Sequence, residues 1–99
     1  MTYLDETANR VRAHLAPGVA VPDDSDELFL LYAVLARVAG THVTNEDVHD
    51  AWVAWMASRG KHHGSMVPFD ELPAHVRDED APFADAIRSA AAERPERRA

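Results

Sequence analysis

The side chains with the most chemistry to offer in this 99-residue chain stand close together: His49, Trp52 and Trp55, then Arg59, Lys61, His62 and His63. An indole face stacks on flat rings, worth about 1 to 3 kcal/mol per base. A guanidinium grips a phosphate through a two-pronged fork, and an ammonium acts as a point charge. Trp52 is thus the candidate stacking residue for a flat, anionic ligand, with Arg59, Lys61 and His63 on its phosphate and His49 and Trp55 as further contacts. Each has a plainer reading. Tryptophans three apart on a helix serve equally as core packing, each with its indole N–H bonded nearby. His49 serves as a hydrogen-bonded strut between its helix and the following loop, and His62 and His63 as solvated loop histidines.

Other constellations carry less. Neutral imidazoles suit zinc or nickel, but His49, His62 and His63 contain no pair at i, i+4, and no metal site is expected. Asp70, Glu71, Asp78, Glu79 and Asp80 resemble a carboxylate set for acid–base work, yet Asp70 and Asp80 stand where helices begin and read as caps. Ser65 lies two residues from His63 without the strained elbow of an activated nucleophile. The expectation is no catalytic residue, no cofactor and no enzymatic activity.

Composition frames the partners. With 46% apolar and 27% charged residues, the chain has the balance of a globular protein. It has no cysteine, hence neither a disulfide framework nor a thiolate metal site, which fits a reducing compartment. The start, MTYLDETANRVR, lacks a signal-peptide pattern, and the longest apolar run, Leu28 to Ala36, falls well short of the roughly 20 residues a membrane helix needs. A cytoplasmic protein without a membrane partner is expected. Seventeen acidic against ten basic residues, a net charge of −7, is the wrong sign for gripping duplex nucleic acid. Nine of the ten basic residues are Arg, a bias that points to a GC-rich genome.

Helical periodicity supplies the elements that hold these groups. Thr2 caps a first helix from about Tyr3 to Leu15, with Leu4, Ala8, Val11 and Leu15 on one stripe. Asp23 to Asp26 open a second helix, apolar nearly all round from Leu28 to Val38 and therefore expected to be packed on two sides, with Gly40 closing it. Thr44 and Asp47 form a capping box for a third helix, from about Asn45 to Ser58, whose Val48, Ala51, Trp52, Trp55 and Met56 share a face. A loop from Lys61 to Val67 leads to the proline bracket Pro68 to Pro73, a short helix through about Glu79, and a last helix with Phe83, Ala86, Ile87 and Ala90 inward. The fold class is all-α: a compact bundle of four to five helices, with a long loop between the third helix and the C-terminal helices. Residues 1–93 form a single domain and 94–99 a frayed, charged tail.

Two segments, Glu46-Asp47-Val48-His49-Asp50-Ala51-Trp52 and His63-Gly64-Ser65-Met66-Val67-Pro68-Phe69-Asp70-Glu71-Leu72-Pro73, resemble the ryanodine-receptor (RyR) repeat over residues 46–92. That family pairs E-N-[IV]-H-[DE]-x-W with H-P-x-L-[VK]-P-[YF]-x-x-L-P. Here the aromatic-Gly segment after the Trp helix is missing, and Gly64 stands where the family has proline. The resemblance implies a non-catalytic helical module of small bacterial or phage type, actinobacterial among them, that senses nucleotide-like ligands, with Trp52 stacking on the base. The function expected is a small-ligand-binding module for a nucleotide or phosphorylated small molecule. The alternative is a homodimerising interaction module, since such repeats occur in tandem.

Overall fold

Thr2 and Thr44 each precede an aspartate by three positions. In the computed structural model, which describes residues 1–93, both pairs close reciprocal capping boxes. The Thr44 hydroxyl accepts the Asp47 N–H at 3.1 Å, and the Asp47 carboxylate accepts the Thr44 N–H at 3.0 Å. These boxes satisfy orphan donors at the starts of α1 (Tyr3–His14) and α3 (Asn45–Ser58). Because α3 carries His49 and Trp52, its cap supports them as well. Thr44→Ala is expected to cost about 1 kcal/mol, read as a fall of about 4 to 8 °C in the thermal midpoint of a domain this size.

The second helix, α2 (Asp26–Val38), starts by a different device. Ser25 holds the cap position, but its hydroxyl makes no cap bond; buried, it receives the Arg12 guanidinium at 3.4 Å, and Arg12 also pairs with Asp26 at 2.9 Å. The acidic run expected to cap α2 therefore ties it to α1. At the other end of the bundle, Gly60 (φ +68°) closes α3: its N–H reaches the Ala57 carbonyl and the Lys61 N–H the Met56 carbonyl, each at 3.0 Å. That bond pair is a Schellman motif, which needs the left-handed conformation glycine adopts without cost. The reversal sends the next residues back across α3. A 3-10 turn at Phe69–Glu71, the single turn α4 (Ala74–Arg77), a second 3-10 turn at Asp78–Asp80 and α5 (Ala81–Ala92) complete the chain.

The all-α expectation holds, with no strand among the described residues. Helix α2 lies at the centre and touches α1, α3 and α5. Val11, Phe29, Ala33, Val48, Ala84 and Ile87 are fully enclosed between them. The small residues Ala84, Ala86 and Ala90 let α5 approach closely. One expectation fails: α2 is not sealed all round, since Val34 is 39% and Val38 74% exposed, with Leu30, Leu31 and Leu35 partly so. Three neighbours occupy its inner side, and no described element remains to cover the outer one. No helix among the described residues is long and apolar enough to cross a membrane. The expected frayed tail, 94–99, lies outside the described residues.

Candidate functional site

His49 is 3% exposed, and its Nε2–H donates to the Val67 carbonyl at 2.7 Å. This bond fastens the crossing loop to α3, assigns the ring proton to Nε2 and leaves Nδ1 free. The imidazole also lies beside Trp52 and Phe69, with centroids 5.9 and 6.0 Å away. One turn further along α3, the half-buried Trp52 meets the His63 ring edge-on at 5.5 Å and 82°. His63 is itself set by the loop, its Nδ1 accepting the Ser65 N–H at 3.0 Å. The loop thus crosses α3 over Trp52, as expected from the sequence.

Beneath this crossing lies a cavity of about 200 Å³, lined among others by Tyr32, His49, Trp52, His63, Asp80 and Phe83. An apolar cavity of about 150 Å³ holds benzene, so this one takes a single ring system rather than a whole nucleotide. Its polar lining is unusual. Tyr32 is 2% exposed, yet its hydroxyl has no hydrogen-bond partner among the described residues; nor has the Asp80 carboxyl or Nδ1 of His49. Buried polar groups in folded proteins are paired with protein or ordered water in the great majority of cases. Three groups that reach one shared space therefore stand open to water or to a polar guest.

The electrostatics agree. Burial pushes the Asp80 carboxyl up to about 6, against the pull of the His49 charge and with a further push from Glu79. Burial and the Asp80 charge together push the Tyr32 phenol well above its usual range, so it keeps its proton. Asp80 is not the helix cap its position implied. Its backbone (φ −83°, ψ −16°) is already helical, because the 3-10 turn Asp78–Asp80 runs straight into α5, and its side chain makes no cap bond. A cap needs extended backbone for its side chain to turn back onto the helix N–H groups. Asp70 likewise makes no cap bond.

A raised carboxyl is a cost to the fold. The native state holds the Asp80 proton up to about pH 6 while the unfolded chain releases it near 3.8. The stability this proton confers is full below the lower value and lost as pH rises through the upper one. Asp80→Asn, which cannot ionise, is expected to stabilise the domain at neutral pH. Because Asp80 is only half enclosed, screening reduces the gain to on the order of 1 kcal/mol. Thermal unfolding of both proteins across pH 3 to 8 checks it: the curves should converge below about pH 4, separate as pH rises to about 6 and stay apart above it.

A second, more open cavity of about 360 Å³ shares Trp52 and Pro22 with the first and is otherwise lined by Asp23, Asp24, Trp55, Met56, Arg59 and Lys61. Here Arg59 donates to the Asp24 carbonyl at 2.9 Å and lies 4.7 Å above the Trp55 ring. Trp55 itself is 5% exposed and packs in the core, but its buried Nε1 has no partner among the described residues, contrary to the bonded N–H expected. Arg59, Lys61 and His63 are therefore not brought to one point. The split falls after Lys61, leaving Arg59 and Lys61 on the outer cavity and His63 on the inner. His62 is exposed and lines neither.

Against this geometry stands one match to a family: Domain of unknown function (DUF7701), over residues 2–92. The chain belongs to the DUF7701 family. No curated protein and no solved structure matches it. The resemblance to the RyR repeat is overturned, since the DUF7701 match takes in α1 and α2, which that resemblance left out, and nothing indicates an RyR domain. In this chain the two segments form a local device: His49 on α3 pins the loop through Val67, and Trp52 one turn later fills the crossing. The DUF7701 domain uses that device in a bundle whose second helix supplies Tyr32 to the same space.

Sequence reasoning missed Tyr32, Asp80 and Phe83 as cavity residues. The legible signal was a lone tyrosine on the otherwise hydrocarbon inner face of α2. A buried phenol requires a partner, and none was visible from the sequence.

Proposed function

We propose that this DUF7701 domain is a non-enzymatic small-ligand-binding module, taking a nucleotide or another phosphorylated molecule that carries a flat ring. The observation that supports this most is the position of Trp52, whose indole helps wall both cavities. The ring enters the inner cavity against Trp52 and His49, and the remainder crosses the lip at Pro22 towards Lys61. Lys61 carries the phosphate contact, because Arg59 is already engaged with Asp24 and Trp55. Asp23 and Asp24 beside Lys61 repel further negative charge, which favours one phosphate over a chain of them. Calorimetry of the full chain with a broad nucleotide panel tests the reading. At least one member is expected to bind with 1:1 stoichiometry, and silence across the panel overturns it.

The outer face of α2 favours a second reading, a homodimer. Leu30, Leu31, Val34 and Val38 form an apolar stripe, with Glu27 in the first turn and Arg37 in the last. Two copies paired antiparallel about the Leu30–Val34 turn bring Glu27 of each towards Arg37 of the other, so the stripe is self-complementary in charge. Val38→Asp is expected to convert a light-scattering dimer into a monomer; a wild-type monomer at micromolar concentration overturns this reading.

A further inference from the structure

Resting on the ligand-binding reading above, we infer that the inner cavity recognises a 2-amino-4-oxopyrimidine edge, the face presented by guanine and by pterins. Such an edge meets the hydrogen-bonding needs of the groups that line the cavity. An ionised carboxylate only accepts, and its two oxygens suit two adjacent N–H donors. A phenol held in its protonated form donates to an oxygen. Asp80 and Tyr32 line the same cavity, and neither has a hydrogen-bond partner among the described residues. Together they can offer a guest two acceptors and a donor. The complement on a flat ring is an amino group, a ring N–H and a carbonyl in sequence, which is the 2-amino-4-oxopyrimidine edge. Trp52 supplies the stacking surface for that ring, and His49, fixed by Val67, backs it.

Competing edges fit less well. An adenine edge offers one donor and one acceptor, so it needs the proton of the neutral acid on Asp80. A simple organic cation satisfies the carboxylate but gives the Tyr32 hydroxyl no oxygen. Protonation separates these cases, since Asp80 is a carboxylate above about pH 6. The groups facing it are Tyr32 from α2, His49 from α3, His63 and Ser65 from the crossing loop and Glu79 from its own turn. A guanine-type ligand should weaken as pH falls below that point, whereas an adenine-type ligand should tighten.

The test is calorimetry of the full chain with guanosine, inosine, adenosine and xanthosine 5′-monophosphates and with 6-hydroxymethylpterin, using wild type, Asp80→Asn and Tyr32→Phe. Guanosine monophosphate or the pterin is expected to bind, and which of the two does so tells a nucleotide from a free ring. Inosine monophosphate, lacking the 2-amino group, should bind about tenfold to a hundredfold more weakly, the worth of a hydrogen bond to a charged group. Asp80→Asn offers one donor and one acceptor, and should shift preference from guanosine to xanthosine monophosphate. Tyr32→Phe should weaken guanosine and inosine monophosphates alike. Circular dichroism establishes that both variants are folded.

Equal affinity for guanosine and inosine monophosphates, tighter binding of adenosine monophosphate, or an unchanged ranking in Asp80→Asn overturns the inference while leaving a ligand-binding module standing. So does binding confined to other members of the broad panel. Absence of binding by these ligands and by the whole panel overturns both.

Discussion

Phe29→Ala is expected to cost about 3 to 5 kcal/mol, a large part of the roughly 5 to 15 kcal/mol that holds a small domain folded. Phe29 has no exposed surface. Its ring meets Tyr32 edge-on at 5.1 Å and Phe83 at 6.5 Å, and the Arg12 guanidinium lies 4.0 Å above it. Truncation therefore removes the transfer energy of a benzyl group and also leaves a hole beneath two side chains that line the inner cavity. Urea unfolding should show a lower midpoint with an unchanged slope. Val34→Ala, on the uncovered side of the same helix, should stay within about 0.5 kcal/mol of wild type. Equal losses at the two positions would mean that α2 does not present the face described here.

Trp52→Ala is expected to weaken ligand binding by about fivefold to more than a hundredfold, the equivalent of about 1 to 3 kcal/mol of stacking, while the domain stays folded. The two tryptophans separate function from packing. Trp52 is half-buried and borders both cavities, whereas Trp55 is 5% exposed and belongs to the core. Trp55→Ala should behave as a core truncation, losing about 3 to 5 kcal/mol of stability. Trp52→Phe, which keeps an aromatic face, should recover part of the affinity. Binding that survives Trp52→Ala unchanged would remove the indole from the site.

Local chemistry was the legible part of this chain. The boxes Thr2–Asp5 and Thr44–Asp47 and the stop at Gly60 each depend on residues within one turn, so reading them needs no knowledge of the rest. The inward stripe of α5 and the strut role of His49 were legible for the same reason, the latter confirmed by its bond to Val67. The site was only half legible because its parts come from distant segments. Tyr32 and Asp80 share a cavity because α2 and the turn before α5 both pack on α3, which no spacing reveals. Conversely, Arg59 and His63 are near in sequence yet line different cavities, because the loop after Lys61 carries His63 back against Trp52. The RyR resemblance failed on the same point: two segments that pin a loop to a helix record a local solution and not the bundle around it.

The central claim is that the space bounded by Trp52, Tyr32 and Asp80 is where this domain takes its ligand. Two-dimensional amide and indole NMR, recorded while the tightest-binding nucleotide of the panel is titrated in, tests it most directly. The account predicts that the Trp52 indole N–H and the backbone amides of Ala20, Val76 and Asp80, which border the cavity, move together and saturate. The Trp55 indole, enclosed in the core and bordering only the outer cavity, should move less than that of Trp52. Largest shifts along Val34 to Val38, or shifts that never reach Trp52, would contradict it.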